Sequence, residues 1–275
     1  MQSTSRFEIA QVAGHRLAYS QRVGTGPTIL LVHGITTYRF IWRKMIPLFP
    51  LEFNVIALDL LGCGDSDKPL EVSYSLKQHA LLVKEFTDVL GIDKFHLVGH
   101  DVGGGIAQIF AVNNPDQLHS LTLLNSVGYD FWPVQPIIAM RTPIIRQFAM
   151  ATLDLGTFKL IVRRGLFHKE NLTEELMEHF WYPMKSREGR KAFLHFAKCL
   201  DNKNLLDIES ALTKLDIPTL IIRGDADPYL SENIAHRLNA GIPSSKLVLM
   251  EKGSHFIQED LPEDIVNAIT DLVLA

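Results

Sequence analysis

Cysteine is nearly absent from this chain: only Cys63 and Cys199 occur in 275 residues. Two cysteines cannot build a disulfide-stapled scaffold, and these two show no metal-ligand spacing. Two free thiols in a reducing compartment are expected. An excess of one charge is also lacking. Lys plus Arg is 27 and Asp plus Glu is 31, a formal net charge of -4. That balance excludes the basic surface that nucleic-acid binding needs. No apolar run approaches the roughly 20 residues of a membrane span. Met1 to Arg6 is polar and no apolar stretch follows it, so no secretory leader is expected. There is no internal repeat, no low-complexity segment and no phosphate-binding glycine fingerprint. The absences together predict a cytoplasmic protein with no nucleic-acid or membrane partner and no metal or organic cofactor. They leave the oligomeric state open.

Apolar residues make up 47% of the chain and charged residues 21%, the mix of a globular protein with a sizeable core. Phe7 to Val12 and Arg16 to Val23 flank Ala13-Gly14-His15, which predicts a hairpin. Thr28 to Val32, Asn54 to Leu58, Phe95 to Val98 and Leu121 to Leu124 are short apolar runs of the kind buried on both faces of a parallel sheet. Helical periodicity follows Tyr74 and stops at Gly91. A second helix is predicted over Gly103 to Val112, ending before Asn114-Pro115. This alternation predicts an α/β fold with a mostly parallel sheet flanked by helices. From about Gly128 to Asp207 the strand signal disappears, and helical stretches rich in Met, Phe and Trp take its place. Strand and helix then resume with Pro218 to Ile222, Ser231 to Leu238, Lys246 to Met250 and a helix from about Pro262 to Leu274. The expected organisation is a core of residues 1–127 and 208–275, with a helical insertion over 128–207.

Four short segments carry chemistry. In Phe95 to Gln108 a strand runs into Gly99-His100-Asp101-Val102-Gly103 and a helix follows at once. Small residues two positions either side of a central side chain mark a strained strand-to-helix turn that presents a nucleophile beside free N–H groups. The central residue here is Asp101, neither Ser nor Cys. A second strand ends in His33-Gly34-Ile35, where a further backbone donor would sit. The expected oxyanion donors are the N–H groups of Ile35 and Val102, and His33 is read as a residue pinning the loop. Third, Asp225 and Asp227 follow an apolar strand. Asp227 is the candidate for orienting a histidine and Asp225 a turn residue. Fourth, His255 lies in the loop after the last strand, behind a nucleophile and an acid in chain order.

These segments resemble the α/β-hydrolase family over nearly the whole chain, and most of all its haloalkane dehalogenase and epoxide hydrolase branch. The resemblance rests on His33 to Phe49, Asp59 to Pro69, Gly99 to Gly105 and Gly253 to Ile265. It implies an α/β-hydrolase fold in which residues 128–207 form the inserted helical cap. It also implies a catalytic set of Asp101, His255 and Asp227. The implied reaction is attack of Asp101 on an sp3 carbon of a small-molecule substrate, followed by hydrolysis of the resulting ester by water that His255 activates. The leaving group stays open between a halide and an epoxide oxygen. Such dehalogenases hold halide with side-chain donors beside the nucleophile, where this chain has Val102 and Ile35. Epoxide opening calls for an acid from the cap, for which Tyr129 and Tyr182 are candidates. Trp132 is a candidate halide donor. The alternative to turnover is a ligand-binding or non-hydrolytic protein that keeps the fold.

Overall fold

The computed structural model describes residues 5–130 and 156–275. Eight strands form one sheet: β1 (Arg6–Val12), β2 (His15–Arg22), β3 (Thr28–Val32), β4 (Asn54–Leu58), β5 (Phe95–Asp101), β6 (Leu118–Ser126), β7 (Thr219–Gly224) and β8 (Ser245–Met250). Their order is β1-β2-β4-β3-β5-β6-β7-β8. β1 and β2 form the predicted hairpin, and β2 runs antiparallel to β4; from β4 onward every pairing is parallel. The hairpin turns on Ala13 and Gly14, at φ 51° and 80°. Two successive positive φ values give the turn a twist that matches the strands it joins.

The continuous apolar runs are explained by burial on both faces. On β3, Leu30 and Val32 join one hydrophobic core while Ile29 and Leu31 join the other. On β5, Leu97 and Val98 divide in the same way. Helix α1 (Leu76–Val89) starts on Ser75, whose side chain accepts from the Gln78 N–H. It is followed by Gly91 at φ 65°. Helix α2 (Val102–Asn113) begins immediately after Asp101 and packs against both α1 and the sheet. Among the described residues no helix is long and apolar enough to cross a membrane.

No strand occurs among the described residues between β6 and β7. That stretch holds α3 (Phe158–Arg164), α4 (Glu174–Trp181), α5 (Arg187–Cys199), α6 (Lys203–Leu206) and α7 (Glu209–Leu212). The helical stretch thus runs to Leu212, past the expected boundary at residue 207. Phe158, Val162, Leu176 and Phe180 pack into the core that contains Leu31 and Phe256. Met184, Phe193 and Phe196 pack into the core that contains Ile35 and Val102. The apolar residues of this stretch therefore fasten it to the sheet on both sides of the elbow. Helices α8 (Glu232–Gly241), α9 (Ile257–Asp260) and α10 (Pro262–Leu274) complete the chain. Both cysteines are free thiols.

Candidate active site

Asp101 is the last residue of β5 and immediately precedes α2, with φ 56° and ψ −122°. A non-glycine residue at that φ is strained, and the neighbouring sequence explains how the strain is held. A Cβ on Gly99 would run into the Gly103 carbonyl, and one on Gly103 would run into the carbonyls of Val32 and His33. Only glycine lets the start of α2 lie this close to the end of β3. That approach brings the Gly34-Ile35 loop onto Asp101, and the Ile35 N–H donates to Asp101 Oδ2 at 3.1 Å. The Val102 N–H is the second backbone donor to this carboxylate. Asp101 is only 7% exposed. Burial raises its pKa above the usual carboxylate range, against the His255 charge and the two N–H donors, which favour the ionised form.

Asp227 lies in the turn after β7, with every oxygen engaged. Oδ1 accepts from the Tyr229 N–H at 2.8 Å and from the Leu230 N–H at 3.2 Å. Oδ2 lies 3.0 Å from His255 Nδ1 and 3.0 Å from an Arg223 guanidinium nitrogen. Burial would raise this carboxyl, but the His255 charge and hydrogen bond, Arg223 and the Tyr229 N–H hold it below its usual range. Asp225, two residues earlier, is exposed. The ionised Asp227 accepts from the His255 Nδ1–H, which leaves Nε2 as the ring's basic nitrogen. Burial pulls the His255 pKa down, yet the charge and hydrogen bond of Asp227, with the Asp101 charge, bring it above 6.5.

Sequence reasoning missed the residues that hold the histidine loop. Asn125, at φ 38° near the end of β6, donates from Nδ2 to the carbonyls of Ser254 (2.7 Å) and His255 (3.1 Å). Its Oδ1 accepts from the Gly224 N–H at 2.9 Å. One side chain thus ties the histidine loop to the strand that carries the acid. His100 Nε2 donates to the same His255 carbonyl at 2.9 Å, and burial lowers its pKa to about 3, so it is neutral. The signal for Asn125 was slight: a polar residue closing an apolar strand. His33 accepts the Leu60 N–H on Nε2 at 3.0 Å, and its Nδ1 donates to the Gly34 carbonyl at 2.7 Å. It ties the donor loop to the chain after β4.

The cap candidates lie elsewhere. The Tyr129 hydroxyl donates to the Arg237 carbonyl at 3.0 Å, and its ring lies under the Arg237 guanidinium, 4.0 Å from it. Tyr129 is therefore a packing residue against α8, a correction to its expected place in the pocket. The Tyr182 hydroxyl donates to Asp65 Oδ1 at 2.6 Å, on a residue that is 44% exposed. Asp65 in turn pairs with Arg39, which also pairs with buried Asp59. Tyr182 thus fastens the helical stretch to the loop after β4, and in this arrangement its proton is not directed at Asp101. Trp132 lies outside the described residues. Among those residues no group of three or more His, Cys, Asp or Glu side chains is arranged to hold a metal.

The alpha/beta hydrolase fold family matches residues 27–262. The chain belongs to that family. This α/β-fold hydrolase is 32% identical over 262 residues to haloalkane dehalogenase 2 of Mycobacterium tuberculosis, spanning 90% of this chain and 88% of that protein. It is 29% identical over 268 residues to epoxide hydrolase 4 of Mus musculus, spanning 88% of this chain and 71% of that one. Among solved structures, the haloalkane dehalogenase DbeA from Bradyrhizobium elkani superimposes with a TM-score of 0.87 at 25% identity, covering 98% of both chains.

Proposed function

We propose that this hydrolase cleaves small apolar substrates at an electrophilic sp3 carbon through an alkyl ester on Asp101. A single observation carries the reading: an aspartate stands at the strained elbow, with Oδ2 on the Ile35 N–H and the His255–Asp227 pair beside it. A carboxylate is too weak a nucleophile for the amide and ester chemistry of a serine at this position. It is well suited to in-line displacement at a saturated carbon. In the first step Asp101 Oδ1 forms a bond to the substrate carbon and the leaving group departs with the bonding electrons. In the second, His255 takes a proton from water as the oxygen attacks the Asp101 carboxyl carbon. The negative charge collects on Oδ2 and is held by the Ile35 and Val102 N–H groups. Collapse expels the alkyl oxygen, which takes the proton back from His255; the new Asp101 carboxyl then releases the second proton of that water to solvent, and the carboxylate nucleophile is restored.

The leaving group this site favours is halide. Halide departs without a proton, and the hydroxyls of Tyr129 and Tyr182 are both engaged away from Asp101. The 32% identity to a haloalkane dehalogenase supports the same reading. We read residues 128–207 as a cap whose apolar side chains select apolar substrates. The test is an assay of the purified chain on brominated alkanes and on terminal epoxides, scoring bromide release and diol formation. Bromide release at rates that saturate with substrate is the expected result. Diol without bromide would move the assignment to epoxides. Saturable binding with neither product would mean that the chain has kept the fold without turnover.

A further inference from the structure

Three rings pack around the His255 imidazole. The centroids of His100 and Phe256 lie 5.1 Å from it, and so does that of Tyr229, whose plane stands at 86° to it. The first two follow from the build of the site: His100 precedes Asp101 and bonds the His255 carbonyl, and Phe256 is the next residue in the chain. Tyr229 comes from the turn after β7, two residues beyond Asp227, and no step of the chemistry proposed above uses its side chain.

Tyr229 joins three parts of the molecule. Its N–H donates to Asp227 Oδ1 at 2.8 Å, which ties the residue to the acid. Pro228 stands between them and limits how the turn can swing, because its ring fixes φ. The Tyr229 ring meets His255 edge to face, an arrangement that aromatic pairs favour. Its hydroxyl, at the far end, donates to the Ile161 carbonyl of α3 at 2.7 Å. Gly165, just after α3, completes the seat. Its carbonyl accepts the Phe256 N–H at 2.8 Å, and a Cβ there would meet the rings of Phe256 and Tyr229 at 2.7 and 3.2 Å. The end of α3 thus bears directly on the histidine loop. Among the described residues, Tyr229 is the one ring around His255 whose side chain hydrogen-bonds to the helical stretch.

We propose that Tyr229 is a positioning residue that couples the seating of α3 to the orientation of the His255 imidazole, so that ester hydrolysis depends on the helical stretch. The proposal rests on the two-step reading given above. Displacement by Asp101 asks nothing of the imidazole. Water activation does, because Nε2 must face the water that attacks the Asp101 carboxyl carbon, and misplacement by about 1 Å can cost on the order of 100-fold. The hydrogen bond from Nδ1 to Asp227 holds one edge of the ring but leaves it free to tilt about that bond. The Tyr229 ring, fastened at its far end to α3, opposes the tilt. Loss of Tyr229 should therefore slow the second step and spare the first.

The test is rapid mixing of the full chain with excess 1-bromobutane, following bromide release and, by intact mass, protein made heavier by a butyl group. Tyr229→Leu removes ring and hydroxyl, and Tyr229→Phe removes only the bond to Ile161. Tyr182→Phe cuts a different link between the helical stretch and the core, one that does not reach His255. His255→Gln reports on ester formation itself. Tyr229→Leu should release its first bromide at close to the wild-type rate and hydrolyse the ester roughly 10- to 100-fold more slowly, so that butylated protein accumulates. Tyr229→Phe should show the same split at a smaller size, and it decides the matter if Tyr229→Leu does not fold. Tyr182→Phe should accumulate no more ester than the wild type. Equal slowing of both steps in the Tyr229 variants, wild-type hydrolysis in them, or equal accumulation in Tyr182→Phe would overturn the coupling. Any of these leaves the ester reading standing if His255→Gln still accumulates butylated protein. No butylated protein in His255→Gln would overturn that reading, and the coupling with it.

Discussion

The floor of the site and the helical stretch above it are built on different rules. On the floor, Asp101, Asp227 and His255 are all fixed by backbone groups or by side chains that backbone groups fix. The one long side chain there, Arg223, is itself buried against Asp227. In the helical stretch the polar contacts run outward: Tyr182 reaches Asp65, and at its entry Tyr129 reaches the Arg237 carbonyl. Those hydroxyls fasten helices to the core. In the mechanism proposed above, the floor carries the chemistry and the helical stretch is left with shape, water exclusion and, through Tyr229, the seating of His255.

Three predictions sharpen or break that contrast, in order of expected effect. The largest concerns the acid. Asp227→Asn should slow turnover by about four orders of magnitude, as the equivalent change does in a serine triad, by disfavouring the tautomer with the proton on Nδ1. Asp225→Asn, at an exposed position, should leave the rate within about twofold of wild type. Steady-state rates for both variants check this; an equal loss in the two would dissolve the distinction between them.

The second concerns pH. His255 must be neutral to accept a proton from water, and its pKa is raised above 6.5. Part of that rise comes from the Asp101 charge, which the ester removes, so during hydrolysis Asp227 carries the support of the imidazolium; hydrolysis should be fastest at high pH and be lost as pH falls through the His255 pKa. Asp101 adds a loss in the first step, as pH falls through its own raised pKa and the nucleophile takes up a proton. A pre-steady-state pH profile that resolves the two steps would show this. An Asp227→Asn variant whose hydrolysis limb stays at the wild-type pH would mean that Asp227 does not support the imidazolium.

The smallest expected effect concerns the tyrosines. Removing a general acid costs about 100- to 10,000-fold. If Tyr129 and Tyr182 only fasten helices, then Tyr129→Phe and Tyr182→Phe should keep turnover within a few-fold while lowering the melting temperature slightly. A loss of 100-fold in either would give that hydroxyl a chemical role and revive epoxide opening.

Much of the floor was legible because its signals are local. Gly99 is required by the Gly103 carbonyl four residues on, and although Gly103 answers to the distant carbonyls of Val32 and His33, both glycines stand in one five-residue stretch around Asp101, so the elbow could be read locally. The buried strands announce themselves by continuous β-branched runs, and β3 and β4 have the bounds that their runs suggested. Asn125 was not legible, because its role depends on β6, β7 and the histidine loop meeting in space, and no periodicity encodes that meeting. Tyr129 misled for a related reason. It stands at the entry to the helical stretch, and its direction is set by Arg237, 108 residues away.

The most direct test of the account is a single turnover in oxygen-18 water with enzyme in excess, read by mass spectrometry of the Asp101 peptide and of the product. An ester on Asp101 hydrolysed at its carbonyl carbon leaves one solvent oxygen on the aspartate and gives the product an oxygen that was the protein's. The label should therefore appear on the Asp101 peptide and be nearly absent from the first product. Label in the first product with none on Asp101 would mean that water attacks the substrate directly and that Asp101 is not the nucleophile.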